Sequence, residues 1–79
     1  MVKPAMVKIT WHDAFSLTES WIALDSIDQE PCVTESIGFL LPDAKAGHVV
    51  LAQSINDAEM LDSLLAIPVA MVVATQLLS

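Results

Sequence analysis

The sequence predicts an all-β domain, and three segments favour it. A short segment near the N-terminus alternates apolar and polar residues, the central stretch 33–55 has the pattern of a β-hairpin, and residues 69–78 form an apolar C-terminal run. Alternation is typical of a strand with one buried face, and Val, Ile and Phe favour strands. A hairpin alone is marginally stable in water, so we expect the other segments to cover it.

The first strand is expected over residues 6–14. Val7, Ile9 and Trp11 alternate with polar residues and should point inward, while Lys8 and His12 should point to solvent. Residues 1–5 are predicted to be a flexible N-terminal extension.

A helical turn or a packed loop is expected next. Ser16 and Glu19 have the spacing of a capping box, and Trp21, Leu24 and Ile27 lie three residues apart, as on one face of a helix. Trp21 is predicted to anchor this segment to the rest of the fold. The acidic stretch 25–30 before Pro31 is interpreted as a solvated connector.

The central hairpin has arms at 36–41 and 48–52 around the tip Pro42–Gly47. Proline, aspartate and glycine supply the turn chemistry of the tip. Asn56–Glu59 is expected to form another turn. Residues 60–65 fit a helical stripe or a short strand, and irregular structure with a helical turn is favoured because Pro68 closes the segment.

The last strand, Val69–Leu78, is apolar on both faces and should therefore be covered on both sides. A neighbouring subunit is a plausible source of the second cover, and the predicted oligomer interface comprises Val69, Met71, Val72 and Val73. The predicted structural core comprises Ile9, Trp11, Trp21, Ile37, Phe39, Val49 and Leu51.

Composition also favours association. The 79 residues make one small domain, 1–79, and 54% of them are hydrophobic. A domain of this size buries only roughly 60% of the surface of its unfolded chain. Part of the apolar material should therefore lie outside a single copy, and large exposed apolar patches usually mark association sites. We expect a homo-oligomer.

The charge pattern limits the partners. Three lysines and no arginine stand against ten acidic residues, which gives a formal charge of −7. Because nucleic-acid binding relies on Lys and Arg at phosphates, this balance argues against strong nonspecific binding. Weak local binding stays open, and Lys8, His12, Lys45 and His48 are its candidate contacts. Trp11 and Trp21 are also candidates for base stacking, although a place in the core is favoured for both.

No pattern of catalytic or metal-binding residues stands out. His12 and Asp13 are adjacent on a strand and should point to opposite faces, and Cys32 is the single cysteine. HExxH, CxxC, GxxxxGK[ST] and GxGxxG are all missing. We expect no enzymatic activity, no cofactor and no metal. The lone cysteine fits a cytoplasmic protein, and the longest apolar run, Leu64–Ala74, is too short to span a membrane.

Several short motifs carry a resemblance that extends over nearly the whole chain. They are Trp11-x-Asp13-Ala14, Trp21, residues 36–41, Val49-Val50-Leu51-Ala52-x-Ser54, and Ile67-Pro68 before the last strand. With these motifs the chain resembles a group of small phage proteins, including those of marine cyanophages. Its element order also resembles the small five-stranded SH3/Sm-like barrel with one short helical or loop segment after the first strand.

The resemblance implies a function as well as a fold. Sm-like proteins form rings by strand pairing between neighbours, so it implies a closed ring of roughly five to seven subunits, and many of them bind RNA. Gly38 matches the glycine of the first Sm motif, but the Asp and Asn of the base pocket have no counterpart, and 54–57 lacks the basic residue and glycine of the second motif. The expected function is a non-enzymatic module associated with RNA or DNA processing in the cytoplasm of phage-infected bacteria. The alternative is a structural or protein-interaction adaptor that binds no nucleic acid.

Overall fold

The computed structural model describes residues 3–14 and 20–79, and it confirms an all-β fold. One antiparallel sheet has the strand order β4-β3-β2-β1-β5. Short 3-10 turns lie at Leu24–Ser26 and Val69–Met71. The strands are β1 (Met6–Asp13), β2 (Cys32–Leu41), β3 (His48–Ile55), β4 (Leu61–Pro68) and β5 (Val72–Leu77).

The sheet is open. Within the described residues, no ladder of hydrogen bonds joins β4 to β5, so the two outermost strands each have one neighbour. A closed barrel would have paired them. The all-β prediction is thus confirmed at the level of one five-stranded antiparallel sheet.

β1 is the central strand around which the core forms. It pairs with β2 on one side and with β5 on the other. Val7, Ile9 and Trp11 are buried, as their alternation predicts, while His12 is exposed and Lys8 is half-buried. Inward residues of the other strands complete the core, chiefly Leu51, Ile67, Leu40, Val49 and Val72.

Of the residues predicted to form the core, five are at least half-buried and two are exposed. Ile9, Trp11 and Leu51 are buried, and Phe39 and Val49 are half-buried. Ile37 is exposed because it lies on the face of β2 opposite to Ser36, whose hydroxyl accepts a hydrogen bond from the buried Trp11 indole at 3.0 Å. Trp21 is 103% exposed, so the prediction that it anchors its segment is also wrong.

In its described part, the segment after β1 contains a single helical turn, one of the two predicted alternatives, but this turn does not pack against the sheet. Its capping-box residues, Ser16 and Glu19, lie outside the described residues. From residue 20 onward it contains a single 3-10 turn, Leu24–Ser26, which buries none of its side chains. The three-residue spacing of Trp21, Leu24 and Ile27 therefore does not form a packed helical face.

The central hairpin is present, with longer arms than predicted. The first part of β2 pairs with β1, and Phe39–Leu41 pairs with Val50–Ala52 of β3. Gly38 allows this approach, because a Cβ atom there would lie 2.9 Å from the carbonyl oxygen of Ala52 and 3.2 Å from Leu51 Cβ. Side chains other than hydrogen do not fit at such distances.

Two predictions near the C-terminus need correction. Residues 61–68 form the strand β4, because pairing with β3 satisfies their backbone; they do not form a helical turn. The predicted last strand begins three residues later than expected, since Val69–Met71 form a 3-10 turn. The turn at Asn56–Glu59 is confirmed: Asn56 Oδ1 accepts hydrogen bonds from the amides of Ala58 and Met60 at 3.0 and 2.9 Å.

Candidate functional site: two open sheet edges

The two outermost strands present apolar side chains to solvent. On β4, Leu61, Leu64 and Leu65 are exposed. On β5, Val73 and Leu77 are exposed, and Leu78, which directly follows the strand, is exposed as well. An edge strand also carries unpaired backbone amides and carbonyls on its outer side. Each edge therefore offers both hydrogen-bonding groups and apolar surface to another strand.

Neither edge carries strong protection against pairing. Natural sheets usually protect edges with lysine, proline, bulges or very short strands. β5 has no charged residue and no proline, and the charge on β4 is limited to Asp62. Pro68 lies at the very end of β4, and Ser63 inside β4 has a left-handed φ of +56°, which is a local irregularity of this edge. The irregularity of β5 falls on its inner ladder with β1, near Trp11. These edges are suited to pairing with another strand.

A short link holds the two edges in a fixed relation. Only the three-residue 3-10 turn Val69–Met71 separates the end of β4 from the start of β5, which spans roughly 6 Å at about 2 Å per residue. The amide of Val69 donates to the carbonyl of Gly47 at 3.0 Å, which holds the turn against the hairpin tip. The sheet must therefore curve so that its opposite edges approach each other at this corner.

The predicted oligomer interface lies at this corner and on β5. Val69 and Met71 belong to the 3-10 turn and are exposed, and Val73 is exposed on β5. Val72 is half-buried and packs against the core. Three of the four predicted interface residues thus have side chains accessible to a second chain.

The single chain exposes more surface than a compact protein of its mass. Its accessible surface is 5967 Å², against roughly 4,650 Å² for a folded monomer of 8.5 kDa. Its radius of gyration is 16.0 Å, against roughly 12 Å for a compact chain of this length. The surplus of about 1,300 Å² exceeds the roughly 800 Å² that one partner contributes to a standard protein–protein contact.

The candidate nucleic-acid contacts form two separate pairs. Lys8 and His12 lie on β1, whereas Lys45 and His48 lie at the tip of the β2–β3 hairpin. His12 is aligned with Val33, and eight positions of β2, roughly 26 Å of extended strand, separate Val33 from Leu41 at the tip.

Both pairs are also engaged locally. Lys8 Nζ lies 3.2 Å from Glu35 Oε2, so an acidic side chain already neutralises this cation. At the tip, His48 Nδ1 lies 2.9 Å from the carbonyl oxygen of Ala46. The four residues do not form one cationic surface.

The described residues show no assembled catalytic group. Cys32 is aligned with Asp13, and His12 is aligned with Val33. The imidazole and the thiol therefore lie on opposite faces of the ladder. Cys32 Sγ lies 3.8 Å from Thr34 Oγ1, and across residues 3–14 and 20–79 no three His, Cys, Asp or Glu side chains meet as metal ligands would.

No protein-family model matches this chain, and no curated protein or solved structure matches it. In the described ranges, no helix has the length and apolar character needed to cross a bilayer.

Half of this site was missed from the sequence. The apolar character of the last strand is visible in its composition, but the β4 edge was hidden because Leu61, Leu64 and Leu65 have a spacing that fits a helix as well. The run Leu64-Leu65-Ala66-Ile67, which is apolar on both faces, was the signal that favoured a strand.

Proposed function

We propose that this chain is a non-enzymatic assembly module whose two open edges join copies into a closed ring. Its motifs resemble those of small phage proteins, and its element order resembles the Sm-like barrel, so we also propose a phage origin and an Sm-like architecture. The main support is the surplus of about 1,300 Å² of accessible surface per chain, which falls within the roughly 1,200–2,000 Å² that one chain contributes to two standard contacts, the number that a ring requires. In this proposal the chain acts as a structural or protein-interaction adaptor in the cytoplasm.

The contact is heterologous: β4 of one copy pairs with β5 of the next. The two edges differ in sequence, so a β4–β5 contact leaves one free edge of each kind on the growing assembly. Such head-to-tail contacts give a ring when the rotation closes and a filament when it does not. Closure into a ring is what the resemblance to Sm-like proteins implies.

Substitution at an edge tests this proposal. Val73→Lys places a charge on the exposed face of β5, and Leu64→Lys does the same on β4. We expect light scattering to give a defined multiple of 8.5 kDa for the native chain and the single-chain mass for either variant. Circular dichroism should stay that of a β protein, since neither side chain belongs to the core.

Ala44→Lys is the matched control. It adds the same charge at the exposed hairpin tip, away from both edges, and should leave the assembly unchanged. A native chain that is monomeric at every concentration would contradict the proposal. So would an assembly that survives both edge substitutions together.

Weak nucleic-acid binding is a second candidate function. Lys45 and His48 lie close together at the exposed hairpin tip, and a ring would repeat this pair in every subunit. Multiple weak contacts of this kind add up in a ring. The adaptor function is favoured over nucleic-acid binding for two reasons. Lys8 and His12 lie away from the hairpin tip, and the chain has a formal charge of −7.

Anisotropy of a labelled single-stranded RNA tests the second candidate. Binding at low salt should weaken steeply as salt is added, and Lys45→Gln should weaken it further. Lys8→Gln is the control, since Glu35 already pairs with that lysine. An RNA that stays unbound at low salt removes this function and leaves the adaptor.

A further inference from the structure

The arm Trp21–Leu24 lies in the connection between β1 and β2, and it exposes more apolar surface than a free loop should. Trp21 is 103% exposed, and Ile22 and Leu24 are exposed beside it. The backbone at Ala23 is extended, so the arm does not fold back on itself. A fully buried tryptophan is among the largest sources of binding energy at protein interfaces. An arm of this kind is suited to insertion into a cleft.

The sheet itself contains such a cleft. The ladder between β2 and β3 covers Phe39–Leu41 and Val50–Ala52, and beyond it these two fully described strands no longer pair. A cleft of about 300 Å³ lies there. Leu51 lies at its buried base, and Ile37 and Leu65 are exposed at its sides. Its lining residues are Ser36, Ile37, Leu51, Gln53, Ser63 and Leu65.

The absence of charge in this lining selects it over a second cavity. That second cavity, of about 370 Å³, lies between the N-terminal residues and the β3–β4 turn, and the charged residues Lys3, Asp57 and Glu59 line it. An apolar arm that entered it would remove these charged groups from water, which is unfavourable. The cleft between β2 and β3 offers leucine and isoleucine surface with no charged residue in its lining.

We propose that the arm Trp21–Leu24 of one copy inserts into the cleft between β2 and β3 of another copy of this chain. The occupant is a second copy, because the surplus of about 1,300 Å² per chain exceeds the roughly 800 Å² that one partner contributes to a standard contact, so strand pairing at one edge leaves apolar surface of the same chain to be covered. This inference rests on the proposed assembly, and it adds a second contact that is independent of strand pairing at the edges.

Tryptophan fluorescence reports on Trp21 alone in the variant Trp11→Phe, because Trp21 is then the single tryptophan. As the protein concentration rises and light scattering records assembly, we expect the emission maximum of Trp21 to shift to shorter wavelength. The acrylamide quenching constant of Trp21 should fall several-fold, because the cleft shields the indole from water. The native chain, with the spectrum of Trp21→Phe as reference, provides the same measurement if Trp11→Phe does not fold.

Two cleft variants make the test specific. Ile37→Glu places a carboxylate in the cleft, and Val33→Glu places one at an equally exposed position of the same strand outside it, since the two side chains are 59% and 60% exposed. Ile37→Glu should restore full quenching of Trp21 in the assembled protein, and Val33→Glu should not.

Three results would overturn the inference. The first is that the chain assembles but acrylamide quenches Trp21 equally at all concentrations. This result would remove the arm contact and leave the proposed ring unaffected. The second is protection of Trp21 that does not depend on concentration, which would mean that the arm covers its own chain. The third is a chain that never assembles, which light scattering identifies separately and which removes the proposed function too.

Discussion

β1 and β5 are neighbouring strands, and the strand with the more continuous apolar sequence is the more exposed one. β1 has a partner on each side and buries Val7, Ile9 and Trp11 although it also carries charged residues, whereas β5 has one partner and exposes Val73 and Leu77 although it carries none. The difference shows that position in the sheet decides burial, since composition alone would place β5 inside. The core is buried by side chains of one chain, whereas the outer side of each edge strand is suited to pairing with a strand of another chain.

The largest effect is expected from removing side-chain volume at the centre of β1. Ile9→Ala leaves a cavity at a fully buried position and should lower the free energy of unfolding by about 2–5 kcal/mol. Val73→Ala on β5, measured at a concentration that keeps the chain monomeric, should stay within about 0.5 kcal/mol. Urea denaturation measures both, and equal losses would remove the contrast between the two strands.

Gly38 tests the close approach of β2 to β3. Gly38→Ala brings a methyl group to 2.9 Å from the Ala52 carbonyl oxygen, and we expect a loss of about 1–3 kcal/mol, typical of overpacking. Gly47, at φ +70°, has open space around it, so Gly47→Asn should cost less because asparagine tolerates the left-handed conformation. The ranking is contradicted if Gly38→Ala is neutral in urea denaturation.

The hydrogen bond between the Trp11 indole and the Ser36 hydroxyl should contribute a smaller amount. A double-mutant cycle with Trp11→Phe and Ser36→Ala is expected to give a coupling energy of about 0.5–1.5 kcal/mol, since this bond is only partly buried. A coupling near zero would mean that water replaces the serine without loss.

The smallest effect is expected at the surface ion pair between Lys8 and Glu35. Both side chains are partly solvated, and exposed pairs contribute about 0.2–1 kcal/mol. Glu35→Gln should therefore change the urea midpoint little, and added salt should remove the remaining difference. If Glu35→Gln lowered the free energy of unfolding as much as Ile9→Ala, this would contradict the prediction, because the solvent-facing side of β1 would then stabilise the fold as much as the core does.

The elements that could be predicted from the sequence are those with a strong local residue pattern. The alternation of Val7, Ile9 and Trp11 gives β1, and the turn residues Pro42–Gly47 give the hairpin. β4 was not predictable in the same way, because its leucine spacing suits a helix and a strand alike and only the pairing with β3 decides between them.

The candidate site was harder to predict for a related reason. Hydrophobicity favours burial of Trp21 but says nothing about whether its own chain or another supplies the cover. The separation of His12 from His48 depends on strand register, which single residues do not encode. The apolar last strand was recognisable, whereas the partner edge on β4 became visible only with the sheet order.

Hydrogen exchange tests the central claim most directly, because it reports on both regions in one experiment. β1 amides should exchange slowly at every concentration. The outward amides of β4 and β5 should exchange rapidly in dilute protein and slowly in concentrated protein, as edge pairing buries them. Edge amides that exchange rapidly even in concentrated protein would contradict assembly through the open edges.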